Sequence, residues 1–199
     1  MTAERTSRRN LLRKGTLAGV LVAGGALAAG RADRASSAGP SLAQDNRIMN
    51  YLLLLERLQV DFYAQAEKAS WIKGELRQFA RVVGAQERDH VRRLEKMLGS
   101  GTGARRKFQL GGATSSRSRF VAGAIALEET VSAAYIGQGA NLSTGLISPI
   151  AGMTAVEARQ AAWIRDIARD LPAPRAADQA KSEQAVMAAL RSSGFVVES

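Results

Sequence analysis

The chain has 199 residues, no cysteine, one histidine and a formal net charge of +10. That length suits one domain with appendages and is enough to bury a core. The lack of cysteine excludes disulfides, thiolate metal sites, thiol nucleophiles and a lipidated cysteine anchor. Residues 1–43 hold seven of the 28 basic side chains and two of the 18 acidic ones, so the remainder carries only +5. Its one tight basic run, Arg105-Arg106-Lys107, has no interleaved aromatic residue on which a base could stack. A solvated loop accounts for that run, and no nucleic-acid partner is expected.

The N-terminal segment runs in the order basic, apolar, small. Ser7-Arg8-Arg9-Asn10-Leu11-Leu12-Arg13 resembles the twin-arginine export signal: two arginines, two apolar residues, then a basic one. The Ala-, Gly-, Leu- and Val-rich run from Gly15 to Gly30 has 16 residues. A helix needs roughly 20 to cross a bilayer, and the glycines lower hydrophobicity further. This is the apolar region of a signal, so no stable membrane span is expected in the mature protein. Ser36/Ala38 and Ser41/Ala43 offer cleavage before Gly39 or before Gln44. The resemblance implies that the twin-arginine translocase carries a folded protein to the periplasm, cell envelope or exterior. The chain divides into a signal peptide with linker, 1–43, and one domain, 44–199.

From Asp45 onward the pattern is helical. Over 46–68, Ile48, Leu52, Leu55, Leu58, Phe62 and Ala66 form an apolar stripe with the helical period. Over 74–98, Leu76, Phe79, Val83, His90, Leu94 and Met97 share a face, and Gly99 stands where a helix ends in a left-handed residue. Residues 100–117 are rich in Gly, Ser, Thr and Arg and form a long connection. A third helix runs from about Ser118 to 140. A fourth is expected to start with Ser148 as N-cap and Pro149 in the first helical position, and to stop before Pro172 and Pro174. A short fifth helix spans 177–192. This is an all-α four-helix bundle with a long crossover between helices 2 and 3. The crossover is long enough to run the length of the bundle, which makes helices 2 and 3 parallel.

Carboxylates stand where such a bundle should be apolar. Glu56 closes Leu52-Leu53-Leu54-Leu55, and Glu128 follows Ala126-Leu127. Helix 2 supplies Glu87 and His90, and helix 4 supplies Glu157 and Gln160, each pair at i and i+3 on one face. The halves repeat: Glu56 and Glu128 each have a tyrosine seven residues on, Tyr63 and Tyr135. The Glu-to-Glu separations are 31 and 29 residues, so a hairpin turn in each half brings its glutamates level. Four buried carboxylates would cost several kcal/mol each if ionised alone. Two divalent cations would neutralise them, and oxygen donors with imidazole suit iron, manganese or zinc. Glu129, one residue from Glu128, is assigned to solvent, although a small change of helical phase would exchange the two. Tyr63 and Tyr135 are read first as packing residues and second as support for a carboxylate. Trp71 and Trp163 are read as packing residues, and Arg88, Arg92, Arg93 and Lys96 as the exposed face of helix 2.

These residues resemble the ferritin-like superfamily, in particular exported bacterial ferritin-like proteins similar to plant desiccation-related proteins. The resemblance covers roughly 45–195. It rests on Asn50-Tyr51-Leu52 through Glu56, Phe62-Tyr63, Glu87 with His90, Ala126-Leu127-Glu128 through Tyr135, and Val156-Glu157-Ala158-Arg159. Its pattern is a Glu from each of two helices and Glu-x-x-His from each of the other two. It implies metal ligation by Glu56, Glu87, His90, Glu128 and Glu157, with two ions of iron, alternatively manganese. Gln160 stands where the second histidine would be, which implies an asymmetric site. Two functions follow. One is a di-metal centre for iron oxidation or for peroxide and dioxygen chemistry, as in oxidative stress. The other is a non-catalytic stress or envelope scaffold with a degenerate metal site.

Overall fold

The computed structural model describes residues 40–197. The twin-arginine motif, the apolar run after it and the Ser36/Ala38 cleavage position lie outside the described residues. Four long helices form the bundle: α1 Leu42–Glu67, α2 Gly74–Leu98, α3 Arg117–Gly139 and α4 Thr144–Ile167. A short α5, Glu183–Ser192, follows. Two-residue strands β1, Phe108–Gln109, and β2, Val196–Val197, pair antiparallel, with Phe108 opposite Val197.

The helices differ in how their sequences meet the core. α2 is amphipathic: Leu76, Phe79, Val83, Glu87, His90, Leu94 and Leu98 are buried at spacings of three and four, while Arg88, Arg92, Arg93 and Lys96 lie outside. It ends as its sequence implies, at Gly99 with φ 54°. α1 is buried around most of its circumference, because the crossover covers the face that α2 and α3 leave open. Ser41 caps α1 by accepting from the Gln44 N–H at 3.2 Å. α3 is the one helix among the described residues long and apolar enough to cross a membrane. Yet 61% of its most apolar window is buried in the bundle, with Glu128 inside it.

The crossover returns along α1. Asn50 accepts from the Gly103 N–H at 2.6 Å and donates to the Gly101 carbonyl at 2.9 Å. Arg57 donates to the Gly103 carbonyl at 3.0 Å, Arg105 pairs with Asp61, and Thr114 donates to Gln65 at 2.7 Å. Contacts along α1 therefore climb from residue 50 to residue 65 as the crossover proceeds. Phe120, near the start of α3, stacks on Phe62 near the end of α1 at 5.3 Å and lies 6.4 Å from Phe79 near the start of α2. Hence α1 and α3 are antiparallel and α2 and α3 parallel, as the loop length requires. Trp71 and Trp163 extend this aromatic end, 5.8 Å from Phe120 and 5.1 Å from Phe79.

Two helix starts differ from the sequence expectation. α4 begins at Thr144 with Ser143 as N-cap, so Pro149 lies inside the helix and not at its first position. Packing wins here over the Ser-Pro signal. Ile150 is buried, Leu146 packs against the core, and the Ser143 N–H donates to buried Asp45 at 2.9 Å, which fixes the chain one turn earlier. α5 begins at Glu183 and not near 177. The Lys181 N–H donates to the Ala133 carbonyl at 3.0 Å, which holds that strand of chain extended against α3. Ser182 then caps the helix by accepting from Ala185.

Candidate metal centre

Glu56 on α1, Glu87 and His90 on α2, Glu128 on α3 and Glu157 on α4 all point into the core. The four glutamates are 0% exposed, and His90 is 4% exposed. Glu129 lies outward in an ion pair with Arg165, so the helical phase of α3 is the one assigned from sequence. Ligand-type atoms of Glu56, Glu87, His90 and Glu157 all lie within 4.8 Å of one another. Three carboxylate oxygens surround His90 Nδ1, from Glu157 at 3.0 Å, Glu87 at 3.2 Å and Glu56 at 3.4 Å.

Each of these three carboxylates is divided between two tasks. One oxygen accepts a hydrogen bond. Tyr135 OH donates to Glu56 Oε1, Gln160 Nε2 to Glu87 Oε1 at 2.6 Å, and Gln59 Nε2 to Glu157 Oε2 at 3.3 Å. The other oxygen has no hydrogen-bond partner: Glu56 Oε2, Glu87 Oε2 and Glu157 Oε1, together with His90 Nδ1. These four atoms face one another, and Gln59 Oε1 and Gln160 Oε1 of the same network are also buried without a partner. Buried polar atoms are normally satisfied, so four such atoms converging on one point form a cluster that could hold a metal ion.

Glu128 differs. Both its oxygens are taken, by Tyr63 OH and by Gln59 Nε2 at 3.0 Å. It belongs to the same buried network but not to the converging set. Gln160 is buried beside the set, with its amide nitrogen turned to Glu87 and to Gln86 at 3.1 Å. Of the six residues expected at the site, four converge and two flank them.

The tyrosines support carboxylates, but crosswise. Tyr63 of α1 serves Glu128 of α3, and Tyr135 of α3 serves Glu56 of α1. Seven residues along one helix is about 10 Å, too far for a side chain to reach its own glutamate. The antiparallel neighbour brings it level. Gln59 was not expected from sequence. Its signal was present in Glu56-x-x-Gln59, the spacing of Glu87-x-x-His90 and Glu157-x-x-Gln160, while the matching α3 position is Val131.

Electrostatics follow from this crowding. Burial, then the charge of Glu157, holds the Glu87 carboxyl well above the usual range. Burial and Glu157 do the same to Glu128, against the pull of Tyr63 and Gln59. Burial and the charge of Glu56 push Glu157 up to about 7, with His90 and Gln59 opposing. Burial works to lower the pKa of His90, but the close approach of the Glu157, Glu56 and Glu87 carboxylates outweighs it and raises that pKa well above its ordinary value. The centre therefore takes positive charge, as protons or as a metal ion.

One path leads outward. A groove of about 400 Å³ between α2 and α4, lined by Gln86, Asp89, Arg93, Pro149, Gly152 and Met153, reaches His90.

A parallel-helix crossover, paired helical hairpins and a buried carboxylate-histidine cluster that could hold a metal ion together define a four-helix bundle with a polar centre. The chain matches the ferritin-like domain family over residues 44–170, which is most of its length. It belongs to that family. No curated protein matches it.

Proposed function

We propose that this protein is an exported ferritin-like metal protein that binds iron, or alternatively manganese, at the core of its bundle. One observation carries the reading: the four unpartnered buried atoms, Glu56 Oε2, Glu87 Oε2, His90 Nδ1 and Glu157 Oε1, face one another. Three carboxylate oxygens and an imidazole nitrogen form a donor set that suits iron and manganese, whereas magnesium and calcium take oxygen donors. Bound there, such an ion would supply redox chemistry toward peroxide or dioxygen. The protein's own part is to hold the ligands. Tyr135, Gln160 and Gln59 fix the far oxygen of each carboxylate, so the near oxygen stays oriented.

Titration of metal-free protein with ferrous iron under anaerobic conditions, and with manganese, tests this. Saturable binding that His90→Ala abolishes is expected, and Gln160→Ala should lose less. No binding would sink the reading. A second reading, a metal-free stress or envelope scaffold, draws on the raised carboxyls of Glu87, Glu128 and Glu157, which protons alone can neutralise. Full stability without metal, together with no binding, would favour it.

Export through the twin-arginine translocase is part of the proposal and rests on Arg8, Arg9 and the apolar run after them. Of the two cleavage positions, the one before Gly39 keeps the Ser41 cap of α1, whereas the one before Gln44 removes that cap and cuts the first turn. Cleavage before Gly39 is favoured. Arg8→Lys with Arg9→Lys should leave precursor in the cytoplasm, and unimpaired export of that variant would remove the localisation.

A further inference from the structure

We propose that Gln59 restricts the centre to one metal ion per chain, because its amide nitrogen already fills the space between Glu128 and Glu157. This rests on the metal-binding reading above. The Gln59 Nε2 amide group has two hydrogens, and both have carboxylate acceptors: Glu128 Oε2 at 3.0 Å and Glu157 Oε2 at 3.3 Å. Gln59 is 0% exposed, so no solvent competes for these bonds. A donor that links two carboxylates presents positive partial charge between them, the same electrostatic service that a cation would perform.

The consequence falls on Glu128. With Tyr63 on its other oxygen, Glu128 has a hydrogen-bond donor on each oxygen, whereas Glu56, Glu87 and Glu157 each keep one oxygen with none. Gln160 turns its two N–H groups to Glu87 at 2.6 Å and Gln86 at 3.1 Å, with its Oε1 buried and without a partner. The orientation of the Gln59 amide is set by its neighbours: turned over, its oxygen would face two carboxylates. Gln59 Oε1 is buried without a partner, so the amide accepts that cost to keep its nitrogen between Glu128 and Glu157. In the second half of the repeat the matching position is Val131, which cannot play this part. The asymmetry of the centre therefore comes from α1 as well as from Gln160.

The test is metal stoichiometry by anaerobic titration with Mn²⁺, read by calorimetry and by the electron paramagnetic resonance spectrum of the bound ion. Wild-type protein, Gln59→Glu and Gln59→Ala are compared, each checked for helical content. Wild type should bind one ion per chain with the spectrum of an isolated Mn²⁺. Gln59→Glu, of the same shape, should bind two and show an exchange-coupled spectrum, and Gln59→Ala should also gain a second ion. Two ions in wild type would overturn the proposal while leaving metal binding intact. So would one ion in all three proteins. If wild type binds two and Gln59→Ala one, Gln59 is a ligand and the proposal is wrong. No ion in wild type would overturn this proposal together with the metal-binding reading on which it rests.

Discussion

Glu56 and Glu128 occupy matched positions in the two halves of the bundle, yet their surroundings are not equal. Glu128 has two donors, Tyr63 and Gln59, whereas Glu56 has Tyr135 on one oxygen and only the centre on the other. Removing one donor from each should therefore cost different amounts. Tyr135→Phe leaves Glu56 with only the His90 imidazole, 3.4 Å from its other oxygen, and an unsatisfied buried acceptor costs about 1–3 kcal/mol, more if charged. Tyr63→Phe leaves Glu128 bonded to Gln59 and should cost less. Chemical denaturation of the metal-free variants at neutral pH measures both, and the reverse order would show that Gln59 does not support Glu128. At this scale the sequence disclosed the identity of the acids and of His90, because a charge in an apolar helical stripe is conspicuous. It did not disclose which oxygen faces where. Crosswise service by the tyrosines depends on the antiparallel alignment of α1 and α3, and Gln59 is conspicuous only once the Glu-x-x-polar spacing is seen on three helices.

Elements are set by packing as much as by local signals. α2 could be bounded from sequence because its amphipathic stripe, Gly99 and tertiary contacts agree. α4 and α5 could not. Ser148-Pro149 is a good start signal, but buried Ile150 and the Asp45 bond to Ser143 outrank it. The stretch 177–182 is expected from sequence to open the last helix, but its backbone is stitched to α3 through Lys181 and Ala133. Gly137 makes that approach feasible. A Cβ there would lie 2.1 Å from the Lys181 carbonyl oxygen. Gly-to-Ala inside a helix ordinarily stabilises by about 1 kcal/mol. Here the displaced backbone should cost about 1–3 kcal/mol, the usual range for overpacking, and reverse the sign. Gly137→Ala should thus destabilise the protein and expose 171–182 to limited proteolysis. A more stable variant with an unchanged digestion pattern would refute the close docking of that segment.

For the whole molecule, protons and metal compete for one buried charge deficit, and their effects on stability have opposite dependence on pH. In metal-free protein the carboxyls of Glu87, Glu128 and Glu157 titrate above the unfolded value. A group with a raised folded pKa contributes its stability in full below the unfolded pKa and loses it as pH rises through the folded one. For Glu157 that window runs from about 4.3, the unfolded value, up to about 7. At about 1.4 kcal/mol per pH unit, the loss from this one group is about 4 kcal/mol. His90 acts in the same direction, since its raised pKa gives stability that is present in full below its unfolded value of about 6.5 and fades as pH climbs. Metal binding needs ionised carboxylates and neutral imidazole, so it strengthens over the same interval. At a hundredfold excess over the dissociation constant a bound ion stabilises by about 2.7 kcal/mol, which for a domain of this size raises the melting temperature by about 5–10 °C. Metal-free protein should therefore melt lower at pH 8 than at pH 5. Added manganese should do little at pH 5 and restore the difference at pH 8. Melting curves at the two pH values, with and without metal, decide the matter. A metal effect as large at pH 5 as at pH 8 would mean that the ion binds away from Glu87, His90 and Glu157. A metal-free protein no less stable at pH 8 would mean that these acids are ionised in the folded core without help.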